Sequence, residues 1–118
     1  SKTNQVVKEN MVNLISAEYQ ANLLELIPKA DVIFNSHSLC EMGLQTIEEY
    51  FKFINLCEVK LFYHDNSNFL LFPESERHVE VIGDRFPIDY EKFQLVAKYL
   101  TPFSGGNGRH REYIYFAK

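Results

Sequence analysis

The chain has 118 residues, 46% of them hydrophobic and 24% charged, with ten Phe, seven Tyr and no Trp. That is the size and composition of one soluble globular domain with enough aromatic bulk for a core. A formal charge of −4 gives nonspecific nucleic-acid binding no electrostatic support, and no apolar stretch approaches membrane-spanning length.

Residues 1–10 are polar and predict a frayed start with no signal peptide. Met11 to Ile15 fits two patterns. Val12 and Leu14 alternate around Asn13 as in a short strand, and Met11, Leu14 and Ile15 also share one helical face. Ser16 fits an N-cap. Ala17 to Ile27 is rich in Ala, Leu, Glu and Gln and predicts a helix that Pro28 ends. Val32, Ile33 and Phe34 then form an apolar run, read as a strand buried on both faces. It breaks into Asn35, Ser36, His37 and Ser38. Ser38 with Glu41, and Thr46 with Glu49, match the capping-box spacing on either side of Gly43. They predict a helical turn from about Leu39, a break at Gly43 and a helix from Thr46. Leu44, Ile47, Tyr50, Phe51 and Ile54 give that helix one apolar face as far as Leu56. The aromatic residues of 50–53 read as core packing.

Val59 to Tyr63 is the next strand, followed by His64, Asp65, Asn66, Ser67 and Asn68. Two strands joined by one helix make a βαβ unit with parallel strands, which brings both polar bursts to one rim of the sheet. Ligands of open α/β sheets bind at such carboxyl ends. Phe69 to Phe72 is apolar up to Pro73, 74–80 is charged surface, and Val79, Val81 and Ile82 suggest a short extended piece. Phe93 to Leu100 fits helix or strand. Strand is favoured, because Arg111 to Phe116 alternates as a strand does and a Gly-rich turn cluster separates the two. The stretch Gly105–Arg111 lacks the Lys-Ser/Thr of a phosphate loop and precedes a strand, so it reads as a hairpin turn. Cys40 and Cys57 lack a C-x-x-C spacing, which predicts reduced thiols and a cytoplasmic protein.

The runs DVIFNSHSLCEMG, VKLFYHDNS, FPID and REYIYF resemble the C-terminal half of bacterial sugar O-methyltransferases. These S-adenosylmethionine-dependent enzymes have a seven-stranded Rossmann-like fold and are often linked to surface polysaccharide synthesis. The matching pattern is an apolar strand, Asn35, a small residue at Ser36, then Ser38, Glu41 and Met42. The resemblance implies an α/β fold: half of a three-layer Rossmann-like methyltransferase, with parallel strands and a C-terminal antiparallel hairpin. It implies a sugar or polysaccharide precursor as acceptor. One departure bears on the cofactor. The glycines are Gly43, Gly83, Gly105, Gly106 and Gly108, so no G-x-G turn precedes the central strand and the nucleotide-binding half is missing.

In the family's strand order 3-2-1-4-5-7-6, Met11–Ile15 corresponds to the third strand and Val32–Phe34 to the fourth. The first two strands being absent, the central strand has a free edge. That edge predicts either Met11–Ile15 packed alongside it or a homodimer. The competing reading of the whole chain is a noncatalytic α/β module that binds a partner protein.

On this resemblance, His37 is the candidate general base toward a sugar hydroxyl, with a passive hydrogen-bonding role as its alternative. Glu41 is a second catalytic candidate, or only a capping carboxylate. Asn35 and Ser36 line the methionine end of the cofactor or satisfy backbone groups at the strand end. His64, Asp65 and Asn66 read sugar hydroxyls or form a turn. No pair among His37, Cys40, Glu41 and His64 has a diagnostic metal spacing, and no metal is expected.

Overall fold

The structure, a computed structural model, describes residues 6–68, 81–101 and 108–118. Four strands form one mixed sheet: β1 (Lys29–Ser36), β2 (Glu58–Ser67), β3 (Phe93–Leu100) and β4 (His110–Ala117). Their order across the sheet is β1-β2-β4-β3. β1 and β2 are parallel, with Val32 beside Leu61 and Phe34 beside Tyr63. β4 is antiparallel to both of its neighbours, which bears out the terminal hairpin and strand rather than helix at 93–100. A single helical turn, α1 (Leu23–Leu26), precedes the sheet, and the longer α2 (Leu44–Leu56) joins the parallel pair.

The core forms where α2 meets the sheet. Ile47, Phe51 and Ile54 recur at helical spacing and are buried together. Phe51 meets Phe62 edge to face at 5.9 Å between ring centroids, and Phe86 at 5.4 Å. Such aromatic pairs add about 0.5–1.5 kcal/mol beyond the area they bury. Alternation along β4 turns Tyr113 and Tyr115 into this core and leaves Phe116 half exposed. Lys92 closes the far end of α2, where its ammonium donates to the carbonyls of Ile54, Asn55 and Cys57. A cation there satisfies orphan carbonyls and suits the helix dipole.

Several expectations need correction. Val32 and Phe34 are not buried on both faces: β1 is an edge strand, and the two are 55% and 68% exposed. Met11–Ile15 forms neither strand nor helix and does not lie beside β1. The Asn13 side chain accepts from the Lys8 N–H and donates to the carbonyls of Lys8 and Met11. Local bonds of this kind compete with a ladder. The helix expected over Ala17–Ile27 divides into a 3-10 segment (Ala17–Asn22) and α1, and neither buries a residue. Good propensity without a buried stripe is marginal over so short a length. Ser16 makes no side-chain cap bond.

Neither capping box forms. Ser38 makes no cap bond to the 3-10 turn Leu39–Glu41, while α2 starts at Leu44 behind Gly43, so Thr46 falls inside it. β2 runs on to Ser67, which makes His64, Asp65 and Asn66 strand residues rather than a turn. Val81 and Ile82 have no regular structure. The readings of residues 69–80, and of the Gly-rich turn at 102–107, lie outside the described residues.

Candidate functional site

Parallel pairing brings the carboxyl ends of β1 and β2 to one rim, as expected, with Asn35 beside His64 and Ser36 beside Asp65. Past Ser36 the chain turns at His37, whose φ is 59°. This left-handed backbone is uncommon for a residue other than Gly and costs roughly 1–2 kcal/mol. Two bonds to Asp65 hold it. The His37 N–H donates to the Asp65 carbonyl at 2.7 Å, and His37 Nε2 lies 3.0 Å from Asp65 Oδ2. The other carboxylate oxygen accepts from Thr101 Oγ1 at 2.9 Å.

The chemistry of this pair follows from its exposure. The Asp65 side chain is 9% exposed and that of His37 47%. A nearly buried carboxylate therefore orients a ring that solvent reaches. With Nε2–H directed at Asp65, the lone pair of the neutral imidazole sits on Nδ1. A base oriented by a second group is the arrangement that general-base chemistry requires.

Behind the rim lies a second network, centred on Asn66. Asn66 is fully buried. Its Oδ1 accepts from the Cys40 N–H at 3.1 Å, and its Nδ2 donates to Asn35 Oδ1 at 2.9 Å and to His64 Nδ1 at 3.2 Å. Asn35 Nδ2 in turn donates to Ser38 Oγ at 2.5 Å. These bonds fix the segment from 35 to 40 that carries His37.

His64 belongs to the interior. It is fully buried, and its ring stacks on Tyr113 at 4.3 Å between centroids and tilts against Phe86 at 5.0 Å. Burial lowers its pKa to about 3, although the Asp84 charge acts in the opposite direction. Because Asn66 donates to Nδ1, the His64 proton is on Nε2, which has no partner among the described residues. Tyr113 extends this layer: its hydroxyl donates to Asp84 Oδ1 at 2.7 Å. Partial burial raises the Asp84 pKa, but bonds from Lys98, Tyr113 and Asn68 outweigh it and hold the carboxyl at about 2.

The sequence candidates therefore separate. His37, Asp65 and Asn66 come together, but Asp65 orients His37, and Asn66 supports the loop from inside. His64 backs the rim and presents no surface to a ligand. Ser36 is exposed at the end of β1, and Glu41 is exposed on the following 3-10 turn. Thr101 and His110 were missed. The His110 ring stacks on His37 at 4.2 Å between centroids and 15° between planes. The only sequence signal for either is hairpin register, which sets His110 beside Ser67 at the same rim.

Among the described residues, no group of three or more His, Cys, Asp or Glu could hold a metal. None of their helices is long and apolar enough to cross a membrane. Neither Cys40 nor Cys57 is in a disulfide. A shallow groove lined by Leu24, Phe53 and Leu56 runs along α2, apart from the rim cluster. Comparison with family models, curated proteins and solved structures found no match.

Proposed function

We propose that this chain is the substrate-side half of a cytoplasmic sugar O-methyltransferase, which moves a methyl group from S-adenosylmethionine to a hydroxyl of a polysaccharide precursor. The observation that carries the reading is strand order. In a sheet ordered 3-2-1-4-5-7-6 the last four strands lie 4-5-7-6, the seventh reversed against its neighbours. The order β1-β2-β4-β3, with β4 antiparallel to both neighbours, has the same form. The open edge of β1 and the exposed Val32 and Phe34 also fit a three-layer Rossmann-like sheet that continues past β1.

In this reading His37 Nδ1 would accept the proton that the acceptor hydroxyl gives up on methylation. Asp65 holds the ring and stabilises the imidazolium, and Thr101 holds Asp65. The cofactor supplies the methyl group and the sulfonium leaving group. Ser36 offers an exposed hydroxyl toward its methionine end, whereas the Asn35 amide is engaged with Asn66 and Ser38 and acts through them. These residues suit the methyl end of the cofactor and not its nucleotide. Glu41, exposed on the 3-10 turn beside the rim, is the second candidate to meet the acceptor.

In the intact enzyme that this reading requires, His37→Ala lowers methyl transfer by about 10²- to 10⁴-fold, the usual contribution of a positioned base, and leaves the melting temperature nearly unchanged. Transfer of labelled methyl to sugar acceptors measures it. Unchanged turnover removes His37 from the chemistry. The exposed row on β1 favours a second reading, a noncatalytic interaction module or a homodimer paired through that edge. Sedimentation of the 118-residue chain separates monomer from dimer.

A further inference from the structure

We infer that His110 is a positioning residue for His37: the stacked rings hold the base edge-on to Asp65 and disfavour positive charge on both rings at once. The inference rests on reading the rim as the base of the proposed reaction, although its test requires no methyl transfer.

Three observations carry it. The rings lie 4.2 Å apart and nearly parallel, so two imidazolium charges would face each other across van der Waals contact. Asp65 bonds to His37 through Oδ2 and to Thr101 through Oδ1, so both carboxylate oxygens are engaged by groups other than His110. His110 Nδ1 is buried without a hydrogen-bond partner among the described residues, so nothing there supports a charge on that ring.

The charged groups around His110 come from every side. His37 approaches from the turn after β1, Asp65 from β2, Glu41 from the 3-10 turn and Arg109 from the residue before β4. Burial is the largest influence and lowers the pKa of His110. His37 and Arg109 lower it further, and Asp65 and Glu41 offset part of this. A ring on which charge is disfavoured stays neutral more readily beside the base and keeps its stacked orientation. The left-handed backbone of His37 fits the same purpose, since strain of this kind persists where surroundings over-determine a side chain.

Histidine-ring nuclear magnetic resonance across a pH titration of the 118-residue chain reads both parts. His37→Asn, in which the new residue tolerates the left-handed backbone, should move the His110 midpoint to higher pH. His110→Phe should keep the His37 Nε2–H signal characteristic of its bond to Asp65, and His110→Ala should lose it. A His110 midpoint unmoved by His37→Asn, or a His37 signal equally strong in the Phe and Ala variants, overturns the inference. Neither result touches the methyltransferase reading, which stands or falls on turnover.

Discussion

Ile33, Phe62 and Tyr115 are register neighbours on one face of the sheet, and Val32, Leu61 and Phe116 are register neighbours on the other. Both rows are apolar, yet only the first is closed. Phe62 and Tyr115 are buried with the side chains of α2, whereas Val32 and Phe116 stand about half in solvent. Scattered exposed apolar residues are ordinary, but Val32, Leu61 and Phe116 form one row across three strands. The strands carry a pattern suited to burial on both sides, and the described residues supply burial on one.

The largest expected effect sets the two faces directly against each other. Phe62→Ala should cost about 3–5 kcal/mol, as for aromatic truncation in a packed core. Phe34→Ala should cost less than about 1 kcal/mol, chiefly the loss of its stack on Tyr63 at 5.0 Å. Denaturant unfolding of both variants gives the difference. Comparable losses would show that the open row is covered in solution.

A smaller effect probes how rigid the closed face is. A Cβ built on Gly83 would lie 2.8 Å from Tyr113 Cε2 and 2.9 Å from its hydroxyl oxygen. That ring is buried between His64 and the Asp84 hydrogen bond, so it has little room to yield. Gly83→Ala should therefore cost about 1–3 kcal/mol, typical of overpacking, measured by thermal melting. An unchanged melting temperature would mean that the aromatic layer yields more readily than its packing implies.

The smallest effect concerns pH. His64 has a folded pKa of about 3 against an ordinary 6.5. Between those values the unfolded chain binds the proton and the folded chain does not, so stability falls as pH falls from 6.5 toward 3. The loss is on the order of 1 kcal/mol on reaching about pH 5.5. Asp84 adds little above about pH 5. Its depressed pKa stabilises the fold above the unfolded value of 3.8, and that contribution is lost as pH falls toward about 2. His64→Phe should flatten the slope in urea titrations between pH 7 and pH 5. A slope unchanged in that variant would assign the acid sensitivity elsewhere.

How legible these features were in the sequence depends on range. Ile47, Phe51 and Ile54 announce α2 because one face repeats every three or four residues. Tyr113 and Tyr115 announce β4 by alternating with Ile114 and Phe116. His37 and Asp65 were both visible as polar residues at strand ends, but the bond between them was not, because it depends on the register of two strands and on a left-handed turn. Thr101 and His110 reach the rim only after the hairpin closes, and no local pattern marks them. Ser38 and Glu41 show the opposite failure. Their spacing matches a capping box, and a 3-10 turn does start at Leu39, but Asn35 claims the Ser38 hydroxyl and no side-chain cap bond forms. The same competition explains Met11–Ile15, where the Asn13 side chain binds backbone that a strand would have used.

The Asn66 side chain is a junction whose polarity cannot be reversed. It offers two hydrogens to the left and right, toward Asn35 and His64, and one lone-pair oxygen to the Cys40 N–H. Exchanging its single nitrogen for oxygen, as Asn66→Asp does, turns both donors into acceptors with almost no change of shape. The new oxygen would then confront Asn35 Oδ1 and the His64 lone pair inside a buried layer. One atom at the centre of this network thus decides the shape of the rim, because the segment from 35 to 40 hangs on which way those hydrogens point.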